Sequence, residues 1–358
     1  MVKDEKKKVL FICSAKPSYS RNAILISVLK RKFEVQVISS NKNSYFLRIP
    51  EVWLKFVFAK KDYDYLFVGF LGQPLMPLAR LFTRKPIIFD AFISLYDTLC
   101  FDRKTFTPHS IVGRITYFLD KKSCKWAEKI TTDTNQNTDY FAKTFSIPKK
   151  KFCRVWVGSQ TDLFYPREER KVKDKFTVFF YGTFIPLHGV EYIIRTAKLL
   201  EDEKDLLFKI VGRGQTYQKN YNLAQSLNLK NVIFLGRQPI KTLSDFMASA
   251  DVCLGIFGDT EKAQRVIPNK VFDTLASQKP VITADTPAIR ELLEDKKDCL
   301  LCQTANLRSL AKAILLLKQN RVLRDEIAQN GYRKFIRHCS LEALSKTLNS
   351  FIKLKSNG

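Results

Sequence analysis

The chain has 358 residues, of which 45% are hydrophobic and 27% are charged. This balance excludes a disordered chain, and the length fits two domains that each have a core. The 61 Lys and Arg residues against 35 Asp and Glu give a net charge of +26. Such an excess indicates nucleic acid, anionic lipid or phosphorylated ligands as partners. A generally lysine-rich composition would produce the same excess, and this alternative stays open.

Neither a membrane-spanning run nor an export signal is visible in the sequence. The sequence contains no run of about 18 apolar residues. Its N-terminus passes from charged residues straight into a β-like run. The eight cysteines are scattered, and the Cys299–Cys302 pair has CxxC spacing but no second pair beside it. These features predict a cytoplasmic protein with reduced thiols and no bound zinc.

Strand-like and helix-like segments alternate through the first half of the chain. A helix is predicted from about residue 22 to 31, and Pro50 is predicted to divide the aromatic, basic segment 44–61. The predicted strands are 9–15, 35–39, 63–70, 86–92, 129–134 and 152–158. This alternation is typical of a doubly wound parallel sheet. Since no glycine-rich turn follows the first strand, a dinucleotide-binding enzyme is not expected.

The same alternation begins again after a polar, charged linker at 159–175. The predicted strands of the second half are 177–182, 206–212, 231–236, 252–257, 280–285 and 299–304. Helical periodicity is seen at 190–200 and 307–339, and 340–356 is predicted to form a last amphipathic helix. The sequence therefore predicts an α/β protein with two doubly wound domains.

A charged loop at 258–268 joins the predicted strand 252–257 to a predicted helix at 269–278. Asn269 is expected to cap this helix. Open α/β sheets bind ligands at the carboxyl ends of their strands, and the free N–H groups of a helix start favour an anion. The junction is therefore a candidate phosphate site.

Charged side chains near this junction fit such a ligand. Lys262, Arg265 and Lys270 supply cations for phosphate oxygens. Asp273, one turn into the helix, supplies a carboxylate that can accept hydrogen bonds from ribose hydroxyls. The alternative is a solvated loop with ordinary surface charges.

The stretch 251–285 resembles the nucleotide-sugar-binding region of family 4 glycosyltransferases. Their motif is a Glu, seven residues, a second Glu, and a helix that leads to a Gly-x-Pro-Val-Ile strand. Asp273 falls on the second Glu, 280–282 fall on Pro-Val-Ile, and Arg265 falls on the first Glu with reversed charge. Residues 262–270, KAQRVIPNK, resemble a divergent branch that reads Lys-Ala-x-Arg-Val-Ile-Pro-Asn-Lys here.

The resemblance implies the GT-B fold, in which two Rossmann-like domains face a cleft and the last helix crosses back to the N-terminal domain. The implied N-terminal, acceptor-side domain is 1–165 together with the helix at about 340–358. The implied nucleotide-sugar-binding domain is 166–339. A last helix that simply closes the second domain is the alternative.

The resemblance also implies a set of donor-binding residues. They are Gly182, Thr183, Gly189, Arg213, Lys262, Arg265, Asn269, Lys270 and Asp273. The divergent branch reads Pro-Leu-His-Gly where this chain has 186–189, which favours a site role for His188 over a core role.

Two carboxylates lie near the end of the predicted strand 86–92, Asp90 within it and Asp97 after it. The main family has a histidine, close to the transferred sugar, where this chain has Asp90. Asp90 or Asp97 is therefore implied to orient the acceptor hydroxyl or to act as a base, and His188 is the third catalytic candidate. A helix cap explains Asp97 equally well.

The implied activity is a retaining, hexosyltransferase-type transfer from a nucleoside-diphosphate sugar to a lipid-linked or surface-glycan precursor. The resemblance implies no metal and no cofactor besides the nucleotide sugar. Two other functions stay open: a basic nucleic-acid-binding protein, against which the dispersed cations argue, and a binding-only relative, because Arg265 replaces a motif Glu.

The segment 45–61 interleaves aromatic and basic side chains, which suits a helix that lies among anionic lipid headgroups. This pattern predicts weak binding to an anionic membrane, so the protein is expected in the cytoplasm, either free or on the inner face of the cell membrane. The alternative is that Trp53 and Phe56 pack against the sheet.

Overall fold

The structure is a computed structural model that describes residues 6–167 and 174–353. It separates into two compact units. Unit 1 comprises 1–158 and 340–358, and unit 2 comprises 159–339.

Unit 1 contains a six-stranded sheet in which all neighbouring strands are parallel. Its strands are β1 (Lys8–Ile12), β2 (Glu34–Ile38), β3 (Tyr65–Val68), β4 (Ile87–Asp90), β5 (Lys129–Thr132) and β6 (Phe152–Arg154). Their order is β2-β1-β3-β4-β5-β6. Its helices before residue 158 are α1 (Ser20–Lys30), α2 (Tyr45–Val57), α3 (Met76–Phe82), α4 (Leu95–Asp97), α5 (Ile111–Trp126) and α6 (Asn135–Phe145).

Helices cover both faces of this sheet. On one face, strand residues such as Leu66 and Phe89 form a core with side chains of α2, α3, α5 and α6, among them Phe56 and Phe141. The side chains of the alternate strand residues point to the opposite face, where Phe11 lies beside α1. The inner strands β1, β3, β4 and β5 are buried on both faces, which explains why they read as apolar runs.

The predicted break at Pro50 is wrong, because α2 continues through this proline from Tyr45 to Val57. Pro50 is exposed on the same side of the helix as Phe46, whose carbonyl it cannot bond. Solvent is available to that carbonyl, so the missing hydrogen bond costs less than it would in a buried helix.

Unit 2 contains a second sheet of six parallel strands. The strands are β7 (Phe176–Tyr181), β8 (Leu206–Val211), β9 (Val232–Phe234), β10 (Val252–Leu254), β11 (Val281–Ala284) and β12 (Leu300–Cys302). The order is β12-β11-β10-β7-β8-β9. The helices are α7 (Val190–Leu199), α8 (Tyr217–Ser226), α9 (Ile240–Ser249), α10 (Asn269–Ala276), α11 (Leu307–Gln319) and α12 (Arg321–Cys339).

The last helix, α13 (Leu341–Lys353), belongs to unit 1, where it packs against α1. The hydroxyl of Ser345 donates to the carbonyl of Val28 at 3.1 Å. Residues 354–356 of the predicted last helix lie outside the described residues. Within 6–167 and 174–353, no helix is both long enough and apolar enough to cross a membrane.

The first part of the predicted linker is packed into unit 2. Phe164 is buried, and Arg167 forms an ion pair of 2.6 Å with Asp245. Residues 168–173 of the linker lie outside the described residues.

Candidate functional site

The sheet of unit 2 has a topological switch between β7 and β10. From β7 the chain proceeds to β8 and β9 on one side, whereas β10 lies against the other side of β7 and leads to β11 and β12. Open α/β sheets bind ligands beside the carboxyl ends of the strands at such a point. The loops that leave β7 and β10 therefore form a candidate ligand site.

These two loops are hydrogen-bonded to each other. The backbone N–H of Phe257 donates to the carbonyl of His188 at 3.1 Å, and that of Gly258 donates to Leu187 at 3.2 Å. Gly189 has φ 61°, and a Cβ there would lie 2.4 Å from the Gly258 nitrogen. Only glycine fits this position, and the contact fixes the backbone that carries His188.

A buried amine lies against a buried imidazole where the loops meet. Lys270 Nζ is 3.2 Å from His188 Nε2 and 4.8 Å from the centre of the Phe180 ring. Lys270 is only 4% exposed. A Cβ on Gly182 would lie 3.0 Å from both Lys270 Nζ and His188 Cε1, so the glycine makes room for this pair.

Burial controls the protonation of both groups. It lowers the pKa of Lys270 from its ordinary value to about 7, and nearby Asp273 opposes this shift. Burial, helped by the adjacent Lys270 charge, also lowers the pKa of His188 well below its usual value. An amine that titrates near neutrality responds strongly to an arriving anion, which would raise its pKa.

Asp273 is buried one turn further along α10. Its Oδ1 accepts a hydrogen bond of 2.5 Å from the Ser159 hydroxyl, and its Oδ2 accepts one from the Tyr181 hydroxyl. Burial raises the pKa of Asp273 to about 6, against the effect of these hydrogen bonds and of Lys270. Both carboxylate oxygens thus have donors within the protein, and the contact with ribose stays a prediction.

The charged loop is less exposed than a solvated loop would be. Lys262 is 8% exposed, and the N–H of Arg265 donates to its carbonyl at 3.0 Å. Between them, Ala263 packs with Leu187 and Ile256 in a small apolar cluster. Lys262 and Lys270 therefore belong to the packed part of unit 2.

The predicted cap at Asn269 is wrong. α10 begins at Asn269, the preceding residue is Pro268, and no side chain caps the helix. Pro268 adopts φ −73° and ψ 152°, the extended backbone that the residue before a helix requires. Every residue from Lys270 to Ala276 is buried, so α10 is a core helix.

The remaining donor candidates line neighbouring strand ends. Thr183, after β7, is exposed. Arg213, after β8, is also exposed and holds its guanidinium 4.5 Å from the centre of the Tyr217 ring. The N–H of Gly212 donates to the carbonyl of Gly236 at 2.7 Å, which joins the ends of β8 and β9.

In unit 1, Asp90 is tied into the sheet. Its side chain is fully buried in an ion pair of 2.8 Å with Arg21, which also donates to the Val155 carbonyl at 2.8 Å. The Thr131 hydroxyl donates to Asp90 at 2.8 Å. These bonds join α1, β4 and β5 to the chain beyond β6, which is a structural role, and a role as base rests on the sequence alone.

Asp97 is buried in the short helix α4. The residue that caps this helix is Ser94, whose hydroxyl accepts from the Asp97 N–H at 3.0 Å. Asp97 is therefore not the cap that the sequence allowed, and its catalytic role stays a prediction.

The sequence reasoning missed several buried charged groups of unit 1. Besides Arg21, Asp120 accepts from the Ser94 hydroxyl at 2.6 Å, and Asp133 accepts from Asn137 at 2.8 Å. Burial raises the pKa of each of these two carboxylates to about 6. Asp120 lies at the helical spacing of the buried residues of α5, a signal that could have found it.

Among the described residues, no group of three or more His, Cys, Asp or Glu side chains is placed to hold a metal ion. Cys299 and Cys302 are both buried and free. Asp62 and Asp64 form an Asp-x-Asp sequence, but they precede β3, where both contact Lys8.

Comparisons with known proteins show what unit 2 is similar to. Residues 163–334 match the family model described as glycosyl transferases group 1. An uncharacterized glycosyltransferase of Haemophilus influenzae is 23% identical over 314 residues, which are 82% of this chain and 84% of that protein.

Solved structures with the same fold cover nearly the whole chain. Anabaena HepE in complex with UDP has a TM-score of 0.71 at 15% identity, and covers 96% of this chain and 99% of its own. Its complex with UDP-glucose has a TM-score of 0.73 at 16% identity, over 97% and 99%. Sucrose-phosphate synthase of Thermosynechococcus elongatus has a TM-score of 0.75 at 13% identity, over 97% and 98%.

The protein has the GT-B fold. In this GT-B chain, the group 1 match spans the described part of unit 2 from Leu163 to Lys334 and includes every predicted donor-binding residue from Gly182 to Asp273. Together the family match and the fold support a glycosyltransferase identity.

Proposed function

We propose that the protein transfers a sugar from a nucleoside-diphosphate sugar to an acceptor, with retention of configuration. The observation that carries the proposal is the buried Lys270–His188 pair at the switch point of a domain that matches the glycosyl transferases group 1 model. The solved complexes of HepE with UDP and with UDP-glucose support a nucleotide sugar as the donor.

The diphosphate is proposed to lie against Lys270, with Lys262 and Arg265 as further cations. A group transfer of this kind leaves negative charge on the departing diphosphate, and cations held in a buried, water-poor site stabilise that charge strongly. Lys270 titrates near neutrality, so it becomes fully charged when the diphosphate arrives. His188 contacts this amine and orients it toward the leaving group.

Nearby groups complete the donor site in this proposal. Backbone N–H groups at Gly182, Thr183 and Gly189 supplement the cations, and Arg213 reaches the phosphates or the base. Asp273 is proposed to bind the ribose. Because Ser159 and Tyr181 already donate to it, the ribose hydroxyls would replace or share one of those bonds.

The acceptor is proposed to be a lipid-linked or surface-glycan precursor that contacts unit 1 near Asp90 or Asp97. The transfer is proposed to need no metal and to take place in the cytoplasm, on the inner face of the cell membrane when the acceptor is lipid-linked. Asp90, which is fully paired with Arg21, would position the backbone beside the acceptor rather than accept its proton.

Screening tests the proposal directly. UDP-, GDP- and ADP-sugars are added to the protein, and thermal stabilisation, nucleotide release and the anomeric configuration of the product are measured. We expect one base to raise the melting temperature and to support turnover with retention. No stabilisation and no nucleotide release with any of the three bases would contradict the proposal.

Variants locate the donor site. Asp273→Ala should weaken donor binding by about 1.5–3 kcal/mol, because it removes a charged hydrogen-bond acceptor. Lys262→Ala and Arg265→Ala should lower turnover more than stability. Lys241→Ala, an exposed lysine of α9, is the matched control. Calorimetry measures affinity and circular dichroism the fold; unchanged affinity in Asp273→Ala would refute that assignment.

A further inference from the structure

Large apolar side chains are exposed together on one layer of unit 1. They belong to α2, α3 and α5, three of the four helices that cover the core on one face of the sheet. α2 packs against the turn 73–75 that leads into α3, and both this turn and α3 pack against α5. The three helices are therefore neighbours in one layer.

The outward side of α2 is as apolar as its inward side. Val52 and Phe56 point into the core, whereas Phe46 and Phe58, the latter capping the helix C-terminus, are 82% and 83% exposed. At 100° per residue, Phe46, Leu54 and Phe58 fall within one third of the helix circumference, opposite the buried residues. A surface helix normally has polar residues there, so this side is built to contact something apolar.

The neighbouring helices extend the pattern. Ile111, Ile115 and Phe118 follow the i, i+4, i+7 spacing of one helical stripe on α5, and all three are exposed. On α3, Leu81 and Phe82 are exposed. We call these residues the outer apolar surface: Phe46, Leu47, Leu54, Phe58, Leu81, Phe82, Ile111, Ile115 and Phe118.

The charges on these three helices are mostly positive. The basic residues of the three helices are Arg48, Lys55, Arg80, Arg114, Lys121, Lys122 and Lys125, and the acidic ones are Glu51 and Asp120. Asp120 is buried, and Glu51 pairs with Lys55 at 2.7 Å. Lys122 Nζ lies 5.3 Å from the centre of the Phe118 ring, so cation and ring are adjacent.

We propose that the outer apolar surface of unit 1 docks onto a bilayer that contains anionic phospholipid. Apolar rings enter the boundary between headgroups and acyl chains, while the flanking cations meet lipid phosphates. An anionic bilayer would bury these apolar rings, and it would also match the net positive charge around them. The proposal goes beyond sugar transfer, because docking needs neither donor nor turnover.

The structure also revises which side chains of the predicted membrane segment take part. Phe56 is buried, and Trp53 and Tyr45 are half-buried with hydrogen bonds to the carbonyls of Pro74 and Leu71. Lys61 donates to the Phe56 carbonyl, 2.7 Å away. The contacts proposed here therefore come from the opposite side of α2 and from two further helices.

Unit 2 provides matched controls. Among its described residues, the exposed large apolar side chains are fewer and are spread over more elements, such as Leu199 on α7 and Val322 on α12. Its exposed basic residues include Lys204, Lys241 and Arg308. Substitutions there change the overall composition equally and leave the outer apolar surface intact.

The test is co-sedimentation of the full chain with phosphatidylcholine vesicles, with and without phosphatidylglycerol, at low and high salt. We expect binding only with phosphatidylglycerol, weakened by salt. Phe46→Ser with Phe58→Ser should lower the partition coefficient about tenfold or more. Changing Arg114, Lys122 and Lys125 to Gln should lower it by about two orders of magnitude. The same changes at the control residues should have little effect.

A second measurement is independent of these multiple variants. When the vesicles contain lipids brominated on their acyl chains, the Phe58→Trp variant should lose more tryptophan fluorescence than the wild-type protein does. Val322→Trp should not.

Four outcomes would overturn the proposal. Three of them are no pelleting of the protein with anionic vesicles at low salt, full binding by the Phe46→Ser/Phe58→Ser variant, and no excess quenching of Phe58→Trp. The fourth is a wild-type protein that does not bind vesicles but forms a dimer in sedimentation velocity, when the two serine substitutions abolish that dimer. The last would show that a second copy of the chain covers the surface. All of these readings are independent of whether the protein transfers sugar.

Discussion

Replacing Lys270 by Met should make the ligand-free protein more stable while it weakens donor binding. The amine is buried, and its pKa falls from an ordinary 10.5 to about 7. The unfolded chain therefore binds more protons than the folded one between these two values, and the stability of the wild type rises with pH across that range. Below pH 7 the folded state carries the full cost of the buried charge.

The magnitude follows from the shift. The difference between 10.5 and about 7 corresponds to a cost of about 5 kcal/mol at pH 6, as an upper bound. At pH 9 the folded amine is neutral and the unfolded one still mostly charged, and the remaining cost is about 2 kcal/mol. The stability gained by Lys270→Met should thus be about 2–3 kcal/mol larger at pH 6 than at pH 9.

Urea unfolding of wild type and variant at pH 6, 7.5 and 9 measures this difference. Lys318→Met is the matched control, because hydrogen bonds from Lys318 to Asp205 and Glu203 raise its pKa. A raised lysine pKa stabilises the fold below the ordinary value, so Lys318→Met should be less stable than wild type by the same amount at all three pH values. A pH-independent effect of Lys270→Met would refute the reasoning, since it would show that Lys270 stays charged in the folded protein.

Three further outcomes follow from the structure. The first is the calorimetric titration of the cognate nucleotide sugar at pH 8, in two buffers of different ionisation enthalpy. The wild type should take up about one proton on binding and Lys270→Met none, because the diphosphate restores the charge of the amine. Equal proton counts in the two proteins would contradict this. The second is that Gly189→Ala should lower the melting temperature far more than Gly236→Ala. Both glycines have φ near 60°, but an added Cβ would lie 2.4 Å from a backbone atom at Gly189 and 3.8 Å from the nearest atom at Gly236. Arg21→Met should cost about 3–5 kcal/mol in urea unfolding, because it leaves the Asp90 carboxylate buried and unpaired; Arg21→Met combined with Asp90→Asn should recover much of that loss, and no recovery would argue against the pair.

The alternation of strands and helices was predictable from the sequence, and the structure confirms two sheets of parallel strands. Strands buried on both faces must be apolar throughout, so short runs such as 252–257 and 280–285 stand out between polar loops. Predicted strand ends extended up to four residues beyond the observed ones, as at 152–158 where β6 is Phe152–Arg154. Apolar character continues past the last ladder hydrogen bond, so hydrophobicity alone cannot locate the end.

The chemistry of the candidate site depended on tertiary structure. Lys270 reads as one cation of a charged loop and helix start, yet it is buried against His188, 82 residues earlier in the chain. That contact exists because β10 lies beside β7, and strand order is a property of the whole sheet rather than of any segment. The same holds for Asp273, whose partners Ser159 and Tyr181 come from two other parts of unit 2.

Helix orientation was the other property that the sequence left open. α2 has apolar residues on both sides, and periodicity cannot say which side meets the core when neither is polar. Packing against the sheet selected Val52 and Phe56 as the inward side, and it left Phe46 and Phe58 in solvent. The sequence thus determined the elements and their approximate bounds, because local patterns encode burial; the three-dimensional packing alone decided which charges are buried together and which apolar side faces outward.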